Sequence, residues 1–88
     1  MRLTLHLPHS HSLKERRSAV NSIKERARGR CNVSINEEAG DSWQIANLAF
    51  ACVADTEHSV ESQFRVIRDI IEHDDRVMML HPEIEYYV

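Results

Sequence analysis

An α+β domain is the expectation from three features of this 88-residue chain. Apolar alternation at the N-terminus gives way to an apolar stripe at helical spacing. Two strand patterns then flank an acidic turn, and a second helical stripe precedes a strand-like tail. The order βαββαβ is that of the ferredoxin-like split βαβ arrangement, a four-stranded antiparallel sheet with two helices on one face. It predicts one domain over residues 1–88.

The first strand is read from Arg2 to Leu7, where Leu3, Leu5 and Leu7 alternate with Arg2, Thr4 and His6, and Pro8 ends it. Ser12 and Glu15 stand at capping-box spacing. Leu13, Val20, Ile23 and Ala27 form the apolar stripe of a helix over roughly Leu13 to Arg28, with Gly29 expected at the C′ position. Cys31, Val33 and Ile35 alternate with Asn32, Ser34 and Asn36. An acidic turn around Ala39 and Gly40 then leads to the apolar run Trp43 to Val53, which predicts a hairpin with an interior second strand. Asp55 or Thr56 caps the second helix. Val60, Phe64, Ile67 and Ile71, at i, i+4, i+7 and i+11, carry that helix to about His73. Val77 to Val88 reads as a strand, placed at an edge by Pro82.

Right-handed crossovers put strands one and three in the centre of the sheet. Leu48, Phe50 and Cys52 then meet the helices. Ala49, Ala51 and Val53 share the open face with Thr4 and Ser34. Small apolar residues there suggest a covering surface, although an exposed sheet also tolerates alanine. A core this small makes pairing with another chain natural, through the open face or an edge strand.

The composition, 42% apolar and 28% charged, is that of a globular protein. No apolar run approaches the roughly 18 residues of a membrane span and no targeting pattern opens the chain, so the expected location is the cytoplasm, without a membrane partner. Cys31 and Cys52 lack CxxC spacing and are read as core residues. No phosphate loop or catalytic motif is present, and Ser10 or Ser12 beside His11 has no third group to orient the imidazole. The sequence therefore predicts neither an enzyme nor a cofactor.

Charge carries the functional signal. Residues 13–30 hold seven of the eleven Lys and Arg against two Glu, a balance of +5, whereas residues 31–88 hold three basic and twelve acidic residues, a balance of −9. Such polarity within a chain of net charge −3 points to an anionic partner. Arg17, Asn21, Lys24 and Arg28 fall at i, i+4, i+7 and i+11 on one flank of the first helix, with Lys14 near its upper end. Cations one helical turn apart follow successive phosphates, and the free N–H groups at the helix start, with Ser10, His11 and Ser12 beside them, add donors for an anion. The candidate nucleic-acid or anion site is thus Ser10, His11, Ser12, Lys14, Arg17, Lys24 and Arg28. Against it, charged residues commonly just solvate an outer face, Arg16 and Arg26 have acidic partners within reach, and Glu25 interrupts the field. The open face lacks the aromatic pair of an RNA-stacking sheet. Trp43, Tyr86 and Tyr87 are read instead as hairpin and edge-strand packing.

The topology also gathers His9 and His11 with Glu37, Glu38, Asp41, His73, Asp74 and Asp75 at one end of the sheet. Imidazole with carboxylate suits divalent metals. Mobile loops that balance nearby positive charge account for the same residues, and no metal is assigned.

The run SHSLKERRS at Ser10 to Ser18, with NVS at Asn32 to Ser34, DSWQ at Asp41 to Gln44 and LAFACVAD at Leu48 to Asp55, resembles the YlxP-like family of small bacterial proteins. The similarity covers nearly the whole chain and is loosest from Arg76 onward. It implies a ferredoxin-like domain of unassigned biochemical function, commonly encoded among genes for translation and ribosome maturation. It supplies no catalytic residues. Family members usually carry glycine where this chain has His9, which weakens a metal reading built on His9 and His11. Together these features predict a non-enzymatic accessory protein that binds structured RNA or a ribosomal particle through the basic helix. The alternative is a homodimeric interaction module whose basic helix docks an acidic protein.

Overall fold

A computed structural model describes residues 1–87. Its elements run β1 (Arg2–His6), α1 (Leu13–Arg30), β2 (Val33–Glu37), β3 (Ile45–Cys52), α2 (Glu57–Glu72) and β4 (Met78–Glu83). They form the α+β, ferredoxin-like arrangement, with an antiparallel sheet in the order β2-β3-β1-β4, so β1 and β3 are central.

Alternation along β1 and β3 decides which face is covered. Leu3 and Leu5 pair across the strands with Leu48 and Ala46, and with Phe50 they are buried beneath Val20, Ile23, Phe64, Ile67 and Ile71 of the helices. Cys52 is partly buried on the same side. Ile45, Asn47 and Ala51 on the other face remain exposed and Ala49 is half-buried. The interior strand is therefore covered on one side only.

Each helix starts where its cap residue stands. The Ser12 hydroxyl accepts the Glu15 N–H at 3.1 Å, and Glu15 Oε2 accepts the His11 N–H at 2.7 Å. The return arm of the box thus reaches one residue before the cap. Thr56 caps α2 through the Ser59 N–H at 3.1 Å.

Element ends depart from expectation for local reasons. Gly29 is not a C′ residue: it has no positive φ, and α1 continues to Arg30. Cys31 instead enters extended backbone, its N–H donating to the Ala27 carbonyl at 2.9 Å. Its thiol and the Asn32 N–H are both tied to Gln63 on α2, which draws the chain straight toward β2. Strand β3 begins at Ile45, not Trp43, because the Ser42 hydroxyl takes the N–H groups of Gln44 and Ile45 at 3.2 Å each and folds that segment into a turn. Trp43 is 55% and Val53 87% exposed. Strand β4 is an edge strand that ends at Glu83. Between its Leu80 and Glu83 pairings the register shifts, and His81 takes the left-handed region at φ 52° beside Pro82. The expected continuation to residue 88 is absent over 84–87, and Val88 lies outside the described residues.

Candidate nucleic-acid interface

The basic helix is sorted by what its cations touch. Arg16 falls at i, i+4, i+7 and i+11 with Val20, Ile23 and Ala27, so its stem joins the core and the residue is only 4% exposed. Its guanidinium escapes sideways: Nη1 donates to the Gly40 carbonyl at 3.1 Å and Nη2 to Glu37 Oε2 at 3.0 Å. Lys24 reaches the other oxygen of the same carboxylate, Nζ to Oε1 at 2.9 Å, with its side chain 17% exposed. Glu37, at the end of β2, thus bridges two turns of α1. On the opposite flank Arg26 donates to Asp74 at 2.6 Å.

The predicted pairing of Arg16 and Arg26 with the acidic half is what the structure holds. Lys24, predicted as a member of a free stripe, is instead a partly buried partner of Glu37, because β2 lies alongside that flank. Lys14, Arg17 and Arg28 are exposed, as is Arg30 in the last turn, and none of the four forms an ion pair among the described residues. The available positive surface of α1 is therefore Lys14, Arg17 and Arg28, with Arg30 added, and not the run that includes Lys24.

The helix N-terminus is a poorer anion site than its sequence suggests. Ser10 is buried and its hydroxyl donates to the Ser12 carbonyl at 3.1 Å. The Ser12 hydroxyl is occupied by the cap, and the Glu15 carboxylate already sits on the His11 N–H. A side-chain anion thus occupies the positive end of α1. Of the three N-terminal candidates only the exposed His11 has a free side chain, with no hydrogen bond to its ring among the described residues.

The loops gathered at this end of the sheet do not converge as a ligand set. Among the described residues no group of three or more His, Cys, Asp or Glu side chains could hold a metal ion. Glu37 faces Arg16 and Lys24. Asp74, expected in a solvated loop, is buried and takes Arg26 together with the Arg76 backbone N–H at 3.0 Å, Nε at 2.9 Å and Nη2 at 2.7 Å. The Arg76 guanidinium foremost, helped by its backbone N–H and by Arg26, holds the Asp74 carboxyl far below the usual carboxylate range in spite of burial. Burial pushes the Cys31 thiol up, which keeps it protonated and unreactive.

The aromatic residues are more open than expected. Trp43 is 55%, Tyr86 41% and Tyr87 87% exposed, so none is buried hairpin or edge packing. No helix among the described residues is long and apolar enough to cross a membrane.

Comparison with known proteins adds a family and no activity. Residues 1–84 match the model of a family described as a protein of unknown function, DUF503. No curated protein and no solved structure matches the chain.

Proposed function

We propose, for a chain that belongs to the DUF503 family of proteins of unknown function, a non-enzymatic role in which the exposed flank of α1 binds the phosphate backbone of structured RNA, alone or within a ribosomal particle. The observation that carries the proposal is the set Lys14, Arg17 and Arg28. These cations stand exposed on one side of a single helix without carboxylate partners, while most of the chain's acids lie elsewhere. At 1.5 Å per residue, Arg17 and Arg28 are about 16 Å apart along the helix, a span that crosses several phosphates. The resemblance of Ser10 to Ser18 to the YlxP-like family, whose genes keep company with those of translation, supports RNA as the polyanion. A flank with no aromatic residue for stacking, and with Asn21 as its single amide, reads shape and charge, not sequence.

Three phosphate contacts set the expected strength. Binding should be weak, and log K should fall with log salt with a slope of about −2 to −3. Titration of a structured ribosomal RNA fragment at several salt concentrations measures this. Arg17→Ala plus Arg28→Ala should weaken binding and flatten the slope by about 2, whereas Arg65→Ala on α2, whose partner is Glu61, should change little. An affinity and slope unaffected by the double substitution would remove α1 as the RNA surface. Lys24 is unsuitable for this test because its loss also alters the packing of Glu37.

A further inference from the structure

The sheet face turned away from the helices has a pattern of its own. Pairing register sets Ile45, His6 and Met78 side by side across three strands, and sets Ala49, Arg2 and Glu83 side by side two rows further along. Between them the Thr4 hydroxyl donates to Asn47 Oδ1 at 2.7 Å. Ile45 and Met78 are exposed large apolar residues, Met78 at 55%. On this face, which also holds His6, Arg2 and Glu83 are the Asp, Glu, Lys or Arg side chains that the described strands carry. They stand on neighbouring strands, and neither forms an ion pair among the described residues.

A face with two large apolar side chains flanking His6 at one end and one charge of each sign at the other is complementary to itself. We propose that it is the contact between two copies of this chain, related by a two-fold axis that runs along the strands between β1 and β4. Such an axis exchanges the positions of the two strands, so Arg2 of each copy meets Glu83 of the other, and Met78 lies over His6 of the other. The bond to Asn47 gives the Thr4 hydroxyl a partner within its own sheet, which lowers the cost of drying it. Both helices lie on the outer sides, so the pairing leaves Lys14, Arg17 and Arg28 of each copy exposed.

Area decides how tight the pairing is. With the axis between β1 and the edge strand β4, only those two strands of each copy overlie each other. Two strands about 4.8 Å apart and about 20 Å long present roughly 200 Å² of flat face, against roughly 800 Å² per partner in a standard stable interface. The dimer is therefore one that concentration controls.

Sedimentation equilibrium of the full chain without RNA tests the contact independently of the α1 reading. The average mass should rise above 10.2 kDa toward twice that value as concentration increases. Arg2→Glu and Glu83→Arg, both at exposed positions, should each weaken association about tenfold or more by setting like charges together. The double reversal should restore it. Circular dichroism melts establish that the variants are folded. A wild-type chain that stays monomeric to about 1 mM overturns the proposal without recourse to any variant. So do single reversals that associate like wild type, or a double reversal no better than either single.

Discussion

Replacing Asp74 by Asn removes a charge from the point where α1, the end of α2 and the start of β4 are tied together. The Asp74 side chain is 5% exposed and its two oxygens receive four donors, one from Arg26 and three from Arg76. Losing one partner of a buried pair costs about 3–5 kcal/mol. Here the stranded guanidinium groups are 42% and 48% exposed and regain water, and Asn keeps one acceptor for the Arg76 N–H. The expected loss is therefore smaller, about 2–3 kcal/mol at pH 7. The sign of its pH dependence comes from a carboxyl held below its unfolded value of about 3.9: the stabilisation is complete above about pH 5 and declines as pH falls through 3.9 toward the depressed folded value. Urea unfolding of wild type and Asp74→Asn should show a midpoint difference at unchanged m-value, with about 1 kcal/mol of the gap gone between pH 5 and pH 3. A gap under 0.5 kcal/mol at pH 7, or one flat from pH 7 to pH 3, would refute the assignment of Asp74 as a charged clamp.

Two further substitutions probe the core and the second ion-pair cluster. Phe50→Ala should cost about 3–5 kcal/mol in urea or thermal unfolding, because the ring is 3% exposed between sheet and helices; a near-neutral effect would mean that this side of β3 is not the packed one. Glu37→Ala should destabilise by about 3 kcal/mol since it strands the buried Arg16, whereas Lys24→Ala leaves Arg16 paired and should cost about 1 kcal/mol or less. The reverse order in unfolding midpoints would show that Lys24, not Arg16, is the principal partner of Glu37.

What the sequence made legible is what short-range periodicity controls. Alternation in Arg2 to Leu7 and in Leu48 to Cys52 identified the helix-facing sides, and the hydroxyls of Ser12 and Thr56 marked both helix starts through bonds three residues long. Misreadings occur where a partner distant in sequence decides the outcome. Gly29 looked like a helix terminator, but Cys31 and Asn32 are held by Gln63 across the helix pair. Lys24 looked free because Glu37 is thirteen residues away and meets it only after α1 has turned back into β2. Asp74 is only partly such a case: Arg76, its main partner, stands two residues on, and Arg26 alone lies forty-eight residues earlier. One signal could have been read: Arg16 continues the period of Val20, Ile23 and Ala27, and a cation on an apolar stripe implies a carboxylate waiting for it.

The two outer margins of the sheet are unequal. On β4 the left-handed His81 kinks the strand, and Pro82 has no N–H to offer, so that margin is a poor template for another strand. On β2, Val33–Glu37 pairs on one side only and contains no proline, so its second row of peptide groups is intact. Strand β2 is therefore the open margin of the sheet and β4 the blunted one. The left-handed backbone at His81 and the missing N–H of Pro82 together are what make the two margins differ.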